Sequence, residues 1–392
     1  MMAKRIILAA LLIISLLLSG CWNRREPEDL AFVLGLAFDL DERGLYEVTA
    51  QFVNPRFTGG FQGAGEGGGR QKPYLNHSAK GRTPFEAVRN LSLSTSRILD
   101  SSHTQVLLFS ERLARQGLAT VSDFVDRNPH LRLTITPLII EGDLKQLLQS
   151  DFPLETSPAH GLKGLYNLTQ FERSLVMPEP LIEKLRKLAR PGVEMTMARL
   201  AVVGAEGLGQ GGQFAVRIAG EAVFKRDRMV GKLNVSESSG LIWLSGKARS
   251  GPVVFKTPDG NYASINVISN RSEIEPQIKG GRLEGFRITV RVRGQLYSAP
   301  GIDTTQKDQY EYLNSKLADL VRQDIELVLN KARGYGSDIF GLGKEVHCHN
   351  NKVWQGLENN WEEIFRTIPV RIDVQAVVER PGLAVSPSPI DD

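Results

Sequence analysis

Residues 81–140 read GRTPFEAVRNLSLSTSRILDSSHTQVLLFSERLARQGLATVSDFVDRNPHLRLTITPLII, and within them helical and strand periodicities take turns. Thr83-Pro84-Phe85-Glu86 marks a helix start: Thr83 caps, Pro84 suits the first helical position and Glu86 completes a capping box. Phe85, Val88, Leu91, Ile98 and Leu99 supply that helix with an apolar face. TQVLLF at 104–109 reads as a strand, 111–127 as a helix, LRLTITPLII at 131–140 as a second strand and 143–149 as a short helix. This alternation predicts an α/β or α+β unit.

Upstream, AFVLGLAF at 31–38 and LYEVTAQFV at 45–53 read as a hairpin closed by Asp41-Glu42-Arg43-Gly44. GGFQGAGEGGGR at 59–70 is too rich in glycine to offset its ordering entropy by apolar burial, so a mobile loop is expected there. Downstream, helices are expected at 158–174 and 179–190, and the pattern changes at Pro191-Gly192. Strand-like segments follow at 196–203, 214–224, 228–233, 252–257, 261–268 and 285–296, with a short helix near 236–245. Leu313, Leu317, Leu320, Val321, Ile325, Val328 and Leu329 then share one stripe of a long helix. A second helix near 352–365 and a strand at 369–378 close the pattern, ahead of a tail at 385–392 expected to be disordered. The expected units are an N-terminal α/β half at 21–192, a strand-rich middle at 193–300 and a helix-strand region at 301–384.

The first residues carry a different signal. Lys4 and Arg5 precede the apolar run IILAALLIISLLL at 6–18, a length that fits a signal-peptide core and is short for a bilayer span. Leu18-Ser19-Gly20-Cys21 resembles the lipobox of bacterial lipoproteins, in which small residues admit the signal peptidase and the thiol takes up lipid. Residues 1–20 are thus expected to be a signal peptide, with Leu18, Ser19 and Gly20 recognised by the peptidase and Cys21 the lipidated mature N-terminus. Two or three acyl chains give durable attachment where one does not. The rival reading is a buried N-terminal helix with an incidental cysteine.

Removal of residues 1–20 leaves 372 of the 392 residues, more than one core usually serves. The formal charge of +4 falls to about +2 without Lys4 and Arg5, and it is spread evenly, which argues against a nucleic-acid binder. With Cys21 lipidated, Cys348 has no partner, so no intrachain disulfide framework is expected.

No chemistry-bearing constellation stands out. Gly63, Gly65 and Gly68, and again Gly207, Gly209 and Gly212, match dinucleotide-loop spacing but lack a strand before and a helix directly after. His347-Cys348-His349 offers metal-capable groups, yet adjacent residues rarely face one ion, and a polar helix terminus is the simpler reading. His77, His103, His130 and His160 lie apart, no Gly-x-Ser-x-Gly elbow occurs, and Glu362 and Glu363 read as a solvated helix face. Trp354, Trp361 and Phe365 share one helical face and read as core against the last strand, with a partner anchor as the alternative. Neither catalytic residues nor a cofactor or metal site are expected. Arg24, Arg25, Glu26, Glu28 and Asp29 form either a headgroup or subunit contact or a solvated spacer.

CWNRREPEDLAFVLGLAFD at 21–39 resembles the start of the Ger(x)C family, the lipoprotein C subunits of spore germinant receptors. The likeness continues through 81–97, 103–134, 219–247, 337–347, 354–365 and 369–382, nearly the whole mature chain in family order. The resemblance implies an α+β protein of three domains, each a mixed β-sheet flanked by helices, on the outer surface of the spore's inner membrane. It implies action beside integral-membrane A and B subunits in nutrient sensing. The long glycine-rich stretch at 59–70 and HCHNN at 347–351 depart from that pattern. The competing class is a solute-binding lipoprotein that captures a germinant itself, which calls for two doubly wound lobes; a lipid-tethered hydrolase is a third.

Overall fold

The computed structural model describes residues 2–6, 26–55, 57, 72–150, 152–204 and 214–379. The signal-peptide core, Cys21, both glycine-rich stretches and the 385–392 tail lie outside the described residues. The strands are β1 (Leu30–Leu40), β2 (Tyr46–Val53), β3 (Tyr74–Gly81), β4 (Ile98–Asp100), β5 (Val106–Ser110), β6 (Thr136–Glu141), β7 (Thr196–Gly204), β8 (Phe214–Lys225), β9 (Arg228–Leu233), β10 (Pro252–Lys256), β11 (Tyr262–Lys279), β12 (Arg282–Ser298) and β13 (Val370–Glu379). The helices are α1 (Pro84–Leu91), α2 (Glu111–Gln116), α3 (Ala119–Asp126), α4 (Leu144–Leu147), α5 (Pro158–Glu172), α6 (Leu181–Ala189), α7 (Val235–Ser245), α8 (Lys307–Tyr335), α9 (Leu342–His349), α10 (Asn351–Leu357) and α11 (Trp361–Thr367).

These strands form two mixed sheets flanked by helices, the α+β class expected. The larger runs β3-β2-β1-β5-β6-β7-β8-β9, with β4 added beside the start of β1. Its centre, β1-β5-β6-β7, is parallel and its two flanks are antiparallel. Parallel strands are covered on both faces, which explains the unbroken apolar run of β5 and β6. Leu107, Phe109 and Ile139 face α1, α2 and α3, while Val106, Leu108, Leu138 and Ile140 face α4 and α5. The smaller sheet, β10-β11-β12-β13, is antiparallel except where β13 joins parallel to β12. β11 and β12 meet at Gly280-Gly281, both at positive φ, the backbone a two-residue primed hairpin turn requires. α8 covers this sheet with the expected stripe: Leu313, Leu317, Val321, Ile325, Val328 and Leu329 are buried.

Several local expectations change. Ile98 and Leu99 do not extend the face of α1, which ends at Leu91; they form β4. Ser92, Ser94 and Thr95 bond nearby carbonyls with their hydroxyls, a local competition that ends a helix. Thr83 Oγ1 accepts from Glu86 N at 3.1 Å, but Glu86 reaches back to Arg82 N and not to Thr83 N, so the expected capping box is half formed. A full box occurs at α7, between Asn234 and Glu237. The single helix expected at 111–127 is broken at Gly117, whose φ of 134° no helix contains. The strand expected over 131–140 begins only at Thr136. The helix expected over 352–365 is two, α10 and α11, joined by a 3-10 turn at Glu358–Asn360.

The pattern change at Pro191-Gly192 does not end the larger sheet. β7, β8 and β9 continue it, because β6 offers an unpaired parallel edge already apolar on both faces. The strand-rich segment 193–300 is therefore shared between the sheets, and 301–384 completes the smaller one with α8 and β13.

Candidate functional site

The described chain enters the fold at Glu26, passes a 3-10 turn at Pro27–Asp29 and begins β1 at Leu30. Leu30 pairs with Ile98 of β4, and Arg97 Nη1 donates to Leu30 O at 3.4 Å. Beside this junction, α1, β4 and α3 border an open cleft of about 1140 Å³. Val33, Leu36 and Ala50 floor it, and Phe85 and Phe124 wall it with ring centroids 6.4 Å apart. Arg89 lies over the Phe85 ring, 5.2 Å from its centroid, and Arg127 is held by Asp123 at 2.8 Å. The cleft combines open apolar area with the guanidinium groups of Arg89, Arg97 and Arg127 and the carboxylates of Asp29 and Asp123.

A second feature links the sheets. Glu179, in the segment before α6, is almost wholly buried and takes Lys184 Nζ at 2.8 Å, Lys187 Nζ at 2.9 Å and Lys247 Nζ at 3.0 Å. Burial raises its carboxyl, but the three ammonium groups outweigh that and hold it far below the ordinary range. Glu221 of β8 is fully buried nearby and accepts from Met177 N at 2.7 Å; burial pushes it up to about 7. Two carboxylates thus sit in one region with opposed protonation preferences, set by which one has the lysines. Farther along the junction, Asp338 accepts from the amides of Gly341, Leu342 and Gly343 and from Trp361 Nε1 at 2.8–3.0 Å. Burial nonetheless raises Asp338 to about 6. Glu194 N donates to Asp338 O and Lys344 N to Gly192 O, each at 2.8 Å, stitching the start of β7 to the turn before α9.

Leu18, Ser19, Gly20 and Cys21 lie outside the described residues, while Glu26, Glu28 and Asp29 are exposed at the chain's entry. His347, Cys348 and His349 occupy the last turn of α9, a polar helix terminus; His349 Nδ1 contacts Glu345 O at 2.9 Å and Cys348 is exposed. Trp354, Trp361 and Phe365 are core, as read, but on two helices, with the indoles edge-to-face at 5.3 Å. Glu362 is tied to Lys225 and Arg366, a bridge from α11 to β8. Sequence reasoning passed over Glu179, Glu221 and Asp338. The signal was present for Glu221, a carboxylate inside the apolar run of AGEAVF; Asp338 follows no pattern, since its donors come from a loop and a helix 23 residues on.

Residues 23–202 match the family described as "Spore germination protein N-terminal domain", and residues 219–382 match "Spore germination B3/ GerAC like, C-terminal". The chain belongs to the Ger(x)C family of spore germination proteins. Its relatives in that family include the putative spore germination protein YfkR of Bacillus subtilis, 26% identical over 95% of each chain. Spore germination protein KC of the same organism is 24% identical over 98% of each. A solved structure, that of the GerBC protein, superposes with a TM-score of 0.57 over 88% of this chain and 96% of that one at 18% identity, which establishes a common fold. The Ger(x)C resemblance read from 21–39 onward thus holds along the chain.

Proposed function

We propose that this protein is the lipid-anchored C subunit of a nutrient germinant receptor, held through Cys21 on the outer face of the spore inner membrane. It acts there with integral-membrane A and B subunits as a non-catalytic component in assembly or signal transmission. The observation that carries this reading is the end-to-end correspondence with spore germination proteins, which begins at residue 23, two residues after Leu18-Ser19-Gly20-Cys21. Among the described residues no helix is long and apolar enough to cross a membrane. The solute-binding alternative gains nothing from the fold: its sheets are one mixed nine-stranded sheet and one largely antiparallel sheet, not two doubly wound lobes.

The test is affinity purification from spore membranes after crosslinking. An A-type and a B-type subunit are expected to co-purify, and their repeated absence from a preparation that retains this chain sinks the receptor reading. Anchoring is tested separately by Cys21→Ala, which is expected to abolish metabolic palmitate labelling and release the chain from membranes; persistent labelling rules out Cys21 as the attachment point.

A further inference from the structure

We propose that the edge formed by α1, the turn at 92–94 and β4 is a membrane-contact face that rests on anionic phospholipid and fixes how the protein sits on the bilayer. The inference rests on the anchoring reading above. Three large apolar side chains project from this edge into solvent: Phe85 is 55% exposed, Leu93 84% and Ile98 48%. Scattered exposed apolar residues need no explanation, but these three fall within 14 residues of sequence, and Phe85 and Ile98 line one cleft.

Charge completes the pattern. Segment 82–100, through the end of β4, carries Arg82, Arg89 and Arg97 against two carboxylates: Glu86 is taken by Arg82 at 3.0 Å, and Asp100 accepts from Ser102 N at 2.8 Å. Among the described residues neither Arg89 nor Arg97 has a carboxylate partner: Arg89 lies over Phe85 and Arg97 on the Leu30 carbonyl. Apolar side chains flanked by unneutralised guanidinium groups are the composition of a surface that enters the headgroup layer, where phosphates attract the cations and the apolar groups reach the acyl boundary. Glu26, Glu28 and Asp29 oppose this attraction, and Arg24 and Arg25 precede them on the tether; the complementary charge lies on the α1–β4 edge.

Tether length selects the bilayer as occupant. Cys21 is five residues before Glu26, and at about 3.4 Å per residue that segment spans at most ~17 Å. β4 pairs with the first residues of β1, so the proposed face adjoins the point where the tether joins the fold. A lipid on Cys21 keeps this edge within tether reach of the membrane.

The experiment uses the mature lipidated protein with Leu93→Cys in a Cys348→Ser background, since acylation consumes the Cys21 thiol. A bimane label at position 93 is read in vesicles of phosphatidylcholine mixed with brominated phosphatidylglycerol, and the same label at Lys307→Cys, at the start of α8, is the reference. Quenching at 93 is expected to exceed that at 307 several-fold. It is expected to fall at least about twofold when the quencher is carried by brominated phosphatidylcholine alone, or in Arg89→Glu/Arg97→Glu; the lipid exchange leaves the protein unaltered and remains decisive if that variant misfolds. Equal quenching at 93 and 307 in protein that floats with the vesicles overturns the contact face alone. Protein that fails to float overturns the anchoring reading and this inference with it. Crosslinking of position 93 to another polypeptide in spore membranes, without lipid quenching, assigns the face to a protein partner and overturns the proposal.

Discussion

At the scale of single residues, the buried carboxylates make the protein's stability depend on pH in two opposite ways. Burial raises Glu221 from 4.5 to about 7, so between those values the folded state keeps a proton that the unfolded chain has released. Its contribution is complete below pH 4.5 and lost as pH rises through 7. Glu179 is depressed, so its contribution is present above pH 4.5 and lost as pH falls below that value. Glu221→Gln imitates the protonated group and keeps an acceptor for Met177 N. It is expected to flatten the fall in Tm between pH 4.5 and 7; a slope equal to the wild type's rules out Glu221 as its source. Glu179→Ala leaves Lys184, 3% exposed, without its partner and is expected to cost about 3–5 kcal/mol in chemical denaturation. Glu221 was discoverable in the sequence as a charge in an apolar strand. The value of Glu179 was not, because Lys247 lies 68 residues away.

Between elements, glycine decides how closely helices approach. A Cβ on Gly240 of α7 would stand 2.1 Å from Asp324 O of α8, so Gly240→Ala must push the two helices apart. Overpacking of this kind costs about 1–3 kcal/mol, and Tm is expected to drop by ~3–8 °C in thermal unfolding. Gly356→Ala in α10 meets nothing within 4 Å and is expected to hold or raise Tm through helix propensity. Equal effects at the two positions would show that backbone entropy, not close approach, governs Gly240. Elements with an internal signal were legible: the Thr83-Pro84 start, the stripe of α8 and the apolar run of β5. β3 was not, because it is an edge strand with only its end residues Tyr74 and Gly81 buried. The distal half of β11, SNRSEIEPQIK, was missed for a related reason: it is a strand because β12 pairs with it residue by residue. α9 was read only as a polar terminus at 347–349, since its earlier turns expose no clear period.

Over the whole molecule, one core joins the two sheets. Met177, Val223 and Leu233 from the side of the larger sheet pack in the same cluster as Leu241 of α7, Ile288 and Val290 of β12 and Val328 of α8. A shared core couples the sheets, so urea unfolding followed by tryptophan fluorescence is expected to coincide with loss of far-UV circular dichroism. Trp243, Trp354 and Trp361 all report that core, while dichroism reports both sheets. Separate midpoints would mean that the sheets unfold independently. By itself the sequence determined the α+β class, most of the helices and strands, and the family, because each is written in local spacing or in residue order along the chain. Only the tertiary structure decided that β7, β8 and β9 extend the first sheet, that Glu179 gathers three lysines, and that Ile98 pairs beside the start of β1. Those relations depend on which strand edges and side chains meet across long separations, and periods of 2 and 3.6 residues carry no record of them.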